Sequence, residues 1–344
     1  MIAQQIDHKT SITQTIISEE GLQDGSHNIA RHQRDVSQDD SIPSTPRSVE
    51  LPEHIFSDFG APLPKLQTPH KERMRKLCFV LFLVTMNLCL IPAGSYYTFR
   101  FGTKLSLQAN FAIITGVFGL LNYTHCFLRS LKLFREKTAS QFRPIAWTRW
   151  GTAEFTQINF QVLITLVVIE LVIATVSKTP MVRLCAMSSS TTSLYLSFVF
   201  LVSGILTSMR KKLPFNMSST PKGEYWRPAM IAFIEDIGSI EMGSGVGFRA
   251  QVMSRWEASP EFRGLIELLN WMWGFGLLGS VTISTALVMM LEEDVAYGVG
   301  MGLPYVLGLL LVWLTLVICK RQLRNEEIAW SLKEESNSMD MEFA

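Results

Sequence analysis

The stretch FTQINFQVLITLVVIELVIATV, which runs from residue 155 to residue 176, decides the fold class of this chain. A helix needs about 20 mostly apolar residues to cross a hydrocarbon core of roughly 30 Å. The stretch meets that length, contains no Lys or Arg, and has a single acid, Glu170. It therefore predicts a transmembrane helix.

Five more apolar stretches of similar length lie on either side of this one. The six predicted spans are 77–99, 105–128, 155–176, 184–208, 268–291 and 295–319. We therefore predict an all-α polytopic membrane protein with six transmembrane helices. Residues 71–208 would hold helices 1–4, and residues 268–319 would hold helices 5–6.

Basic residues are distributed unevenly between the two sides of the predicted bundle. On the side of the N terminus, four lie directly before span one at 71–76, six follow span two, eight lie between spans four and five, and four follow span six. The other side has only Arg100, Lys104, Lys178 and Arg183. Because Lys and Arg near span ends are retained in the cytosol, both termini are predicted to be cytosolic. The identity of the membrane stays open.

The polar parts of the chain complete the predicted domain organisation. Residues 1–70 are rich in Ser, Gln, Asp, His and Pro and lack apolar periodicity. Such a composition cannot bury enough apolar surface to offset the entropy of ordering, so we predict a disordered cytosolic tail. Residues 320–344 are predicted to be a second cytosolic tail, and residues 209–267 a folded connection.

The connection 209–267 has the pattern of short helices. Met230, Phe233 and Ile237 share one face of a helix that we expect to lie on the inner membrane surface or against the bundle. Ser259-Pro260-Glu261 has a cap, a first-turn proline and an early acid, which is typical of the start of a helix that runs into span five.

A first candidate polar site lies inside the membrane. Glu170 is an acid at a depth where insertion costs about 2.5 kcal/mol or more, so it should face protein. Asn159 lies three turns before it on the same face, and span four begins with hydroxyls that include Ser188, Thr191 and Thr192. This set is compatible with a hydrogen-bonded helix pair, which we favour, or with a path for protons or cations.

A second candidate site lies in the connection between spans four and five. Its residues are Glu235, Asp236, Glu241, Arg249 and Arg255. Acids and arginines on interfacial helices form salt bridges and contact lipid headgroups, and they also supply acid and base groups for catalysis. We favour the structural interpretation.

Several cofactors are disfavoured by the composition. Membrane haem and histidine-based metal centres need clustered histidines within the bundle. The six histidines are His8, His27, His32, His54, His70 and His125, of which only His125 is near a span. The glycines of 243–247 lack GxGxxG spacing, and no CxxC pair occurs. We predict no cofactor, no metal and no nucleic-acid partner. The expected partners are membrane lipid and either cytosolic proteins or a second copy of the chain.

Ordered motifs in the second half resemble those of a known family. They are Tyr225-Trp-Arg-Pro228, Glu235-Asp-Ile237, Phe248-Arg249, Arg255-Trp-Glu-Ala-Ser-Pro-Glu-Phe-Arg263, Trp271-Met-Trp-Gly274 and Glu293-Asp-Val-Ala-Tyr-Gly-Val-Gly300. The chain resembles, over residues 222–325, an uncharacterised multi-pass membrane protein family of filamentous fungi. The resemblance implies no activity. Glu241-Met242-Gly243 departs from the family, in which glycine is expected directly after the acid.

Three functions remain open from the sequence. The leading hypothesis is a non-enzymatic membrane component, an accessory or adaptor factor whose cytosolic parts bind partners. The second is a transporter or channel-like protein that uses the hairpin of helices 3 and 4, with Glu170 as its key residue. The third is a membrane-bound enzyme that acts on a lipid or apolar metabolite at the cytosolic interface through Glu235, Asp236 and Arg249.

Overall fold

The computed structural model describes residues 75, 78–79, 82, 85–135, 141–145, 154–176 and 179–342, all within the unit Val49–Ala344. Regular structure in these ranges is helical, with no strands beyond two isolated β-bridges. The helices are α1 (Ile91–Gly102), α2 (Leu107–Phe134), α3 (Phe155–Val176), α4 (Val182–Ala186), α5 (Ser188–Ser208), α6 (Ala229–Asp236), α7 (Gly245–Ala258), α8 (Pro260–Met290) and α9 (Glu293–Glu342). Two π-helical turns, Met86–Leu90 and Ile237–Glu241, precede α1 and follow α6.

Five helices are long and apolar enough to cross a membrane: α2, α3, α5, α8 and the Glu293–Leu332 part of α9. They coincide with predicted spans two to six, and they indicate a membrane protein. Of predicted span one, residues 85–99 are helical, and several residues between 77 and 84 lie outside the described ranges. Predicted span one, which would bring the number of spans to six, and the orientation therefore stay predictions. The predicted disordered tail, residues 1–70, also lies outside the described residues.

The last two helices extend beyond their predicted spans. Helix α8 begins at Pro260 and runs into span five, as the Ser259-Pro260-Glu261 motif predicts, because the Ser259 hydroxyl accepts a hydrogen bond from the Phe262 N–H at 3.1 Å and caps the helix. Helix α9 continues from the predicted end at residue 319 to Glu342. Its extension is tied to the rest of the chain, since Glu326 is buried against Arg255.

Predicted span four is interrupted near its start. A turn at Met187 separates α4 from α5, so the helix is not continuous from residue 184. The turn packs closely against α9, where a Cβ at Gly300 would lie 2.4 Å from the carbonyl oxygen of Ala186. Only glycine allows that approach. Helices α8 and α9 pack against each other at Gly276, where a Cβ would lie 2.6 Å from Leu311.

Helix α6 is buried on both of its faces. Met230 and Phe233 pack into an apolar core with α5, α7 and α8, as their spacing predicts. Glu235 and Asp236, on the opposite face, are also fully buried, at 0% exposure. The helix therefore lies within the protein rather than on a membrane surface. Its acidic face is turned inward because it meets the buried guanidinium of Arg249.

Candidate functional site

Six charged residues from five parts of the chain meet beneath α6. We call them the acid–arginine cluster: Arg129, Glu154, Glu235, Asp236, Glu241 and Arg249. Arg129 comes from the end of α2 and Glu154 directly precedes α3. The other acids stand at the end of α6 and in the π-helical turn, and Arg249 is on α7. The cluster thus joins the connection 209–267 to two candidate spans.

Arg249 is the centre of this cluster and is fully buried. Its Nη1 donates a hydrogen bond to Asp236, and its Nη2 donates to Glu154. The same Nη2 lies 3.3 Å from the carbonyl oxygen of Phe142, and a Glu235 oxygen lies 3.9 Å from Nη1. One guanidinium therefore faces three carboxylates, which suits its fixed fork of donors.

Arg129 extends the cluster towards the end of α2. Its Nε and Nη2 donate to one oxygen of Glu154 at 3.1 and 2.8 Å. Its Nη1 donates to Glu241 at 2.6 Å, and His125 lies 3.9 Å from the same carboxylate. Glu154 thus bridges the two arginines, with one carboxylate oxygen on each.

Hydrogen bonds from the start of α3 and from a nearby turn hold the acids of α6. Asp236 Oδ2 accepts from the Thr156 N–H at 3.0 Å and from the Ser218 hydroxyl at 2.7 Å. Glu235 accepts from the Ser219 N–H at 2.9 Å. Because the N terminus of a helix has unpaired N–H groups and a partial positive charge, Asp236 stabilises the start of α3 from a distant part of the sequence.

A close contact inside the connection sets the position of Arg249. A Cβ at Gly238 would lie 2.2 Å from the ring of Phe248, so only glycine lets the ring pack against the π-helical turn. Phe248 directly precedes Arg249. The contact therefore brings α7 against the end of α6 and places the guanidinium beside Asp236.

Burial and mutual repulsion shift the protonation of two acids. Burial, helped by the charge of Asp236, raises the pKa of Glu154 to about 7 against the pull of both arginines. Burial and Asp236 also raise the pKa of Glu235 to about 8. Its Oε2 is buried and has no hydrogen-bond partner among the described residues, which fits a neutral carboxyl. The pKa of Arg249 is raised because the surrounding carboxylates outweigh its burial.

The cluster is closed to substrates. Arg249, Glu154, Glu235 and Asp236 are each 0% exposed, and no cluster residue lines either of the two cavities of the bundle presented below. A general acid or base must lie within hydrogen-bonding reach of its substrate. The arrangement suits a rigid joint between parts of the chain rather than acid and base catalysis.

Four of the five residues predicted for the site of the connection belong to this cluster, and Arg255 does not. Arg255 forms a separate buried pair with α9, in which Nε and Nη2 donate to Glu326 at 3.1 and 2.6 Å. Sequence reasoning missed Arg129 and Glu154 as members. Both were visible as charges at span ends, but the pairing of Arg129 with Glu241 and of Glu154 with Arg249 depends on contacts distant in sequence.

The predicted intramembrane set divides into separate places. Glu170 is half-buried, within hydrogen-bonding reach of the Thr191 hydroxyl, as the hairpin of helices predicts. Asn159 lies eleven residues earlier, which is about 16 Å along a helix, and accepts a hydrogen bond from the Tyr195 hydroxyl at 2.9 Å. Glu170 and Asn159 therefore do not form one site.

Ser188 and Thr192 line a cavity of about 220 Å³ in the middle of the bundle. Apolar and aromatic side chains, including Trp273 and Tyr305, form most of its wall, and Glu170 is not part of it. The Ser188 hydroxyl points to the sulfur of Met301 at 3.6 Å, and the Thr192 hydroxyl donates to the Ser188 carbonyl at 3.1 Å. Across the part of the chain that is described, no group of three His, Cys, Asp or Glu side chains is placed to hold a metal ion.

A family model described as a domain of unknown function (DUF8766) matches residues 54–330. The chain belongs to this family. No curated protein and no solved structure matches the chain. The DUF8766 match extends the predicted resemblance, which covered residues 222–325, into the first half of the chain. The DUF8766 domain contains the whole acid–arginine cluster, both cavities and Glu326. The fungal origin stays a prediction.

Proposed function

We propose that this DUF8766 protein is a non-enzymatic membrane component that presents a rigid cap to a protein partner. The cap is the connection 209–267. In this proposal the chain has six spans, both termini are cytosolic, and the cap lies in the cytosol. The observation that carries the proposal is the acid–arginine cluster, which fixes the cap to α2 and α3 through buried charges.

The cluster supports an adaptor role because its charged groups already bind partners within the chain. Its carboxylates face guanidinium, hydroxyl or backbone donors of the chain itself. A cap held in one position is preorganised, and preorganisation lowers the entropy that a partner must overcome on binding. An enzyme with Glu235, Asp236 and Arg249 as catalytic residues would have to open this joint before each reaction.

The outer surface of the cap offers the contact face. Tyr225 is 62% exposed, and beside it Arg227 forms ion pairs with Glu224 at 3.0 Å and Glu257 at 3.2 Å. Tyrosine is enriched among the residues that contribute most to protein interfaces. The pairs at Arg227 also connect the loop before α6 to α7, so the face keeps its shape.

A photo-crosslinking amino acid at Tyr225 of the full chain tests this proposal. Phe275 is a matched control, because it is 60% exposed on the span α8. We expect a discrete crosslinked protein from the Tyr225 position and only lipid adducts from the Phe275 position. The adaptor role fails if both positions give the same products, or if Tyr225 gives none in native membranes.

The predicted orientation has its own test. Lys222 is exposed on the cap, so Lys222→Cys offers a thiol to an impermeant maleimide. We expect labelling only after the membrane is permeabilised. Labelling of intact cells would place the cap outside and overturn the cytosolic orientation.

A transport role is the second candidate, supported by the 220 Å³ cavity in the bundle. Hydroxyls at mid-bundle depth are suited to coordinate a small polar species inside an apolar wall. Proton flux into proteoliposomes tests it with two variants. Conduction through the cavity predicts that Ser188→Val lowers flux and Glu170→Gln does not. Conduction by Glu170 predicts the reverse, and equal flux in all proteins removes the transport role.

A further inference from the structure

A polar cleft of about 180 Å³ lies where the end of α5 meets the start of α8. A cleft of this volume holds several water molecules, and it has room for a small headgroup. Its polar walls come from Thr207, Ser208, Arg210, Glu267 and Asn270, with Trp271 at its side. None of these residues belongs to the acid–arginine cluster.

Two opposite charges stand free at this cleft. Arg210 and Glu267 are both exposed, and neither forms an ion pair with another described residue. Arg210 follows Met209, the residue that caps the end of α5, and has a left-handed conformation with φ of 49°. That turn takes the guanidinium out of the helix register at the mouth of the cleft. The cleft thus offers a cation and an anion to the same ligand.

The hydroxyls of the cleft can accept hydrogen bonds but not donate them. The Thr207 hydroxyl donates to the Ser203 carbonyl at 2.8 Å, and the Ser208 hydroxyl donates to the Gly204 carbonyl at 2.9 Å. Each oxygen keeps lone pairs for a further donor. Together with Glu267 they form a set of acceptors, which complements a ligand cation that carries N–H groups.

The floor of the cleft is rigid and already satisfied. Asn270 is fully buried and donates to the Phe200 carbonyl at 2.9 Å, while its oxygen accepts from the Ser203 hydroxyl at 3.2 Å. A ligand therefore does not have to satisfy buried groups there. Its charges are recognised at the mouth of the cleft by Arg210 and Glu267.

Apolar surface begins directly beside the cleft. Ile205 on α5 is 49% exposed, and Leu268 and Phe275 on α8 are 46% and 60% exposed. Both helices are candidate membrane spans, and Trp271 has the amphipathic ring that is typical of the membrane interface. A headgroup in the cleft would thus leave its acyl chains against these side chains.

We propose that this cleft binds the headgroup of a phosphatidylethanolamine lipid, with its phosphate on Arg210 and its primary ammonium on Glu267 and the two hydroxyls. A choline headgroup lacks N–H donors and cannot use the acceptors. An anionic headgroup without an ammonium is repelled by Glu267. The lipid proposal does not depend on the protein partner of the cap or on the orientation. A negative result for the partner or the orientation therefore leaves the lipid proposal unaffected, and the reverse also holds.

Lipid titration of the purified full chain tests the site. The probe series is phosphatidylethanolamine, its N-methyl and N,N-dimethyl forms, and phosphatidylcholine, each with the same acyl chains and followed by native mass spectrometry. We expect affinity to fall stepwise as N–H donors are lost, by about ten-fold from first to last, because each lost charge-assisted hydrogen bond weakens binding. Equal affinities across the series would overturn the proposal.

Variants separate the roles of the two charges. Glu267→Gln should remove the preference for the ethanolamine headgroup. Arg210→Gln should weaken the binding of phosphatidylethanolamine and of phosphatidylcholine about equally. Glu261→Gln and Arg263→Gln are matched controls, because both residues are exposed near the start of α8 and outside the cleft. A preference that survives Glu267→Gln would contradict the assignment. Soluble phosphoethanolamine that binds as tightly as the lipid would show that the ligand is not a membrane lipid.

Discussion

The acid–arginine cluster and the surroundings of Glu170 differ in how they hold a buried acid. In the cluster, Glu154 and Asp236 share Arg249 and receive several further hydrogen bonds. Glu170 has one hydroxyl, that of Thr191, within reach, and its second oxygen is buried without a partner among the described residues. Charges converge where helix ends meet outside the apolar spans, because loops can bring both signs together there. The cluster is therefore a joint, and Glu170 is an isolated acid.

Removal of the central cation should have the largest effect on stability. Arg249→Met leaves three buried carboxylates without their shared partner, so the free energy of unfolding should fall by about 3–5 kcal/mol. Unfolding of the purified protein in detergent measures this loss. Arg263→Met is the control, since Arg263 is exposed. A loss below about 1 kcal/mol would mean that the cluster does not hold the connection 209–267 to α2 and α3.

The pair between α7 and α9 should come next. Glu326→Gln keeps the shape but removes the charge opposite Arg255, and it should cost about 1.5–3 kcal/mol. The double variant Arg255→Met with Glu326→Met should recover part of that loss, since apolar pairs often replace buried ion pairs without penalty. The single variants Arg255→Met and Glu326→Met complete a double-mutant cycle, in which strictly additive losses would indicate that the two side chains do not interact.

The raised pKa values of Glu154 and Glu235 predict that the stability of the protein depends on pH. An acid whose pKa is higher in the folded than in the unfolded protein lowers the free energy of unfolding as the pH rises between these two values. For Glu154 and Glu235 the ordinary value is 4.5 and the folded values are about 7 and about 8. Stability should thus fall over this window, by at most about 1.4 kcal/mol per pH unit for each acid, and then level off.

Glu235→Gln isolates this effect, because glutamine cannot titrate. Unfolding free energies at a series of pH values should show a shallower decline between pH 7 and pH 8 in this variant than in the unmodified chain. An unchanged slope would mean that Glu235 ionises in the folded protein as it does in water.

The isolated acid should give the smallest effect. Glu170→Gln keeps an oxygen that can accept from Thr191, so the free energy of unfolding should change by less than about 1 kcal/mol. The same unfolding measurement applies. A loss of more than about 2 kcal/mol would show that Glu170 is ionised and paired, and would remove the contrast with the cluster.

The sequence predicts the helices better than it predicts their meeting points. Apolar length predicts the spans α2, α3, α5, α8 and α9. Local chemistry predicts that the Ser259 hydroxyl caps the start of α8. The break at Met187 was missed because it depends on Gly300 in a distant helix. The acids of α6 were expected on a polar outer face, since helical periodicity separates them from Met230 and Phe233. It does not reveal that Arg249 of α7 pairs with that face.

Amide hydrogen exchange along residues 229–241 tests most directly whether the cluster fixes the cap to the bundle. In the unmodified full chain we expect these amides to exchange as slowly as those of the span at 269–290. In Arg249→Met they should exchange at least about 100-fold faster, while 269–290 stays protected. Unchanged protection of residues 229–241 in a folded Arg249→Met protein would contradict the central role of the acid–arginine cluster.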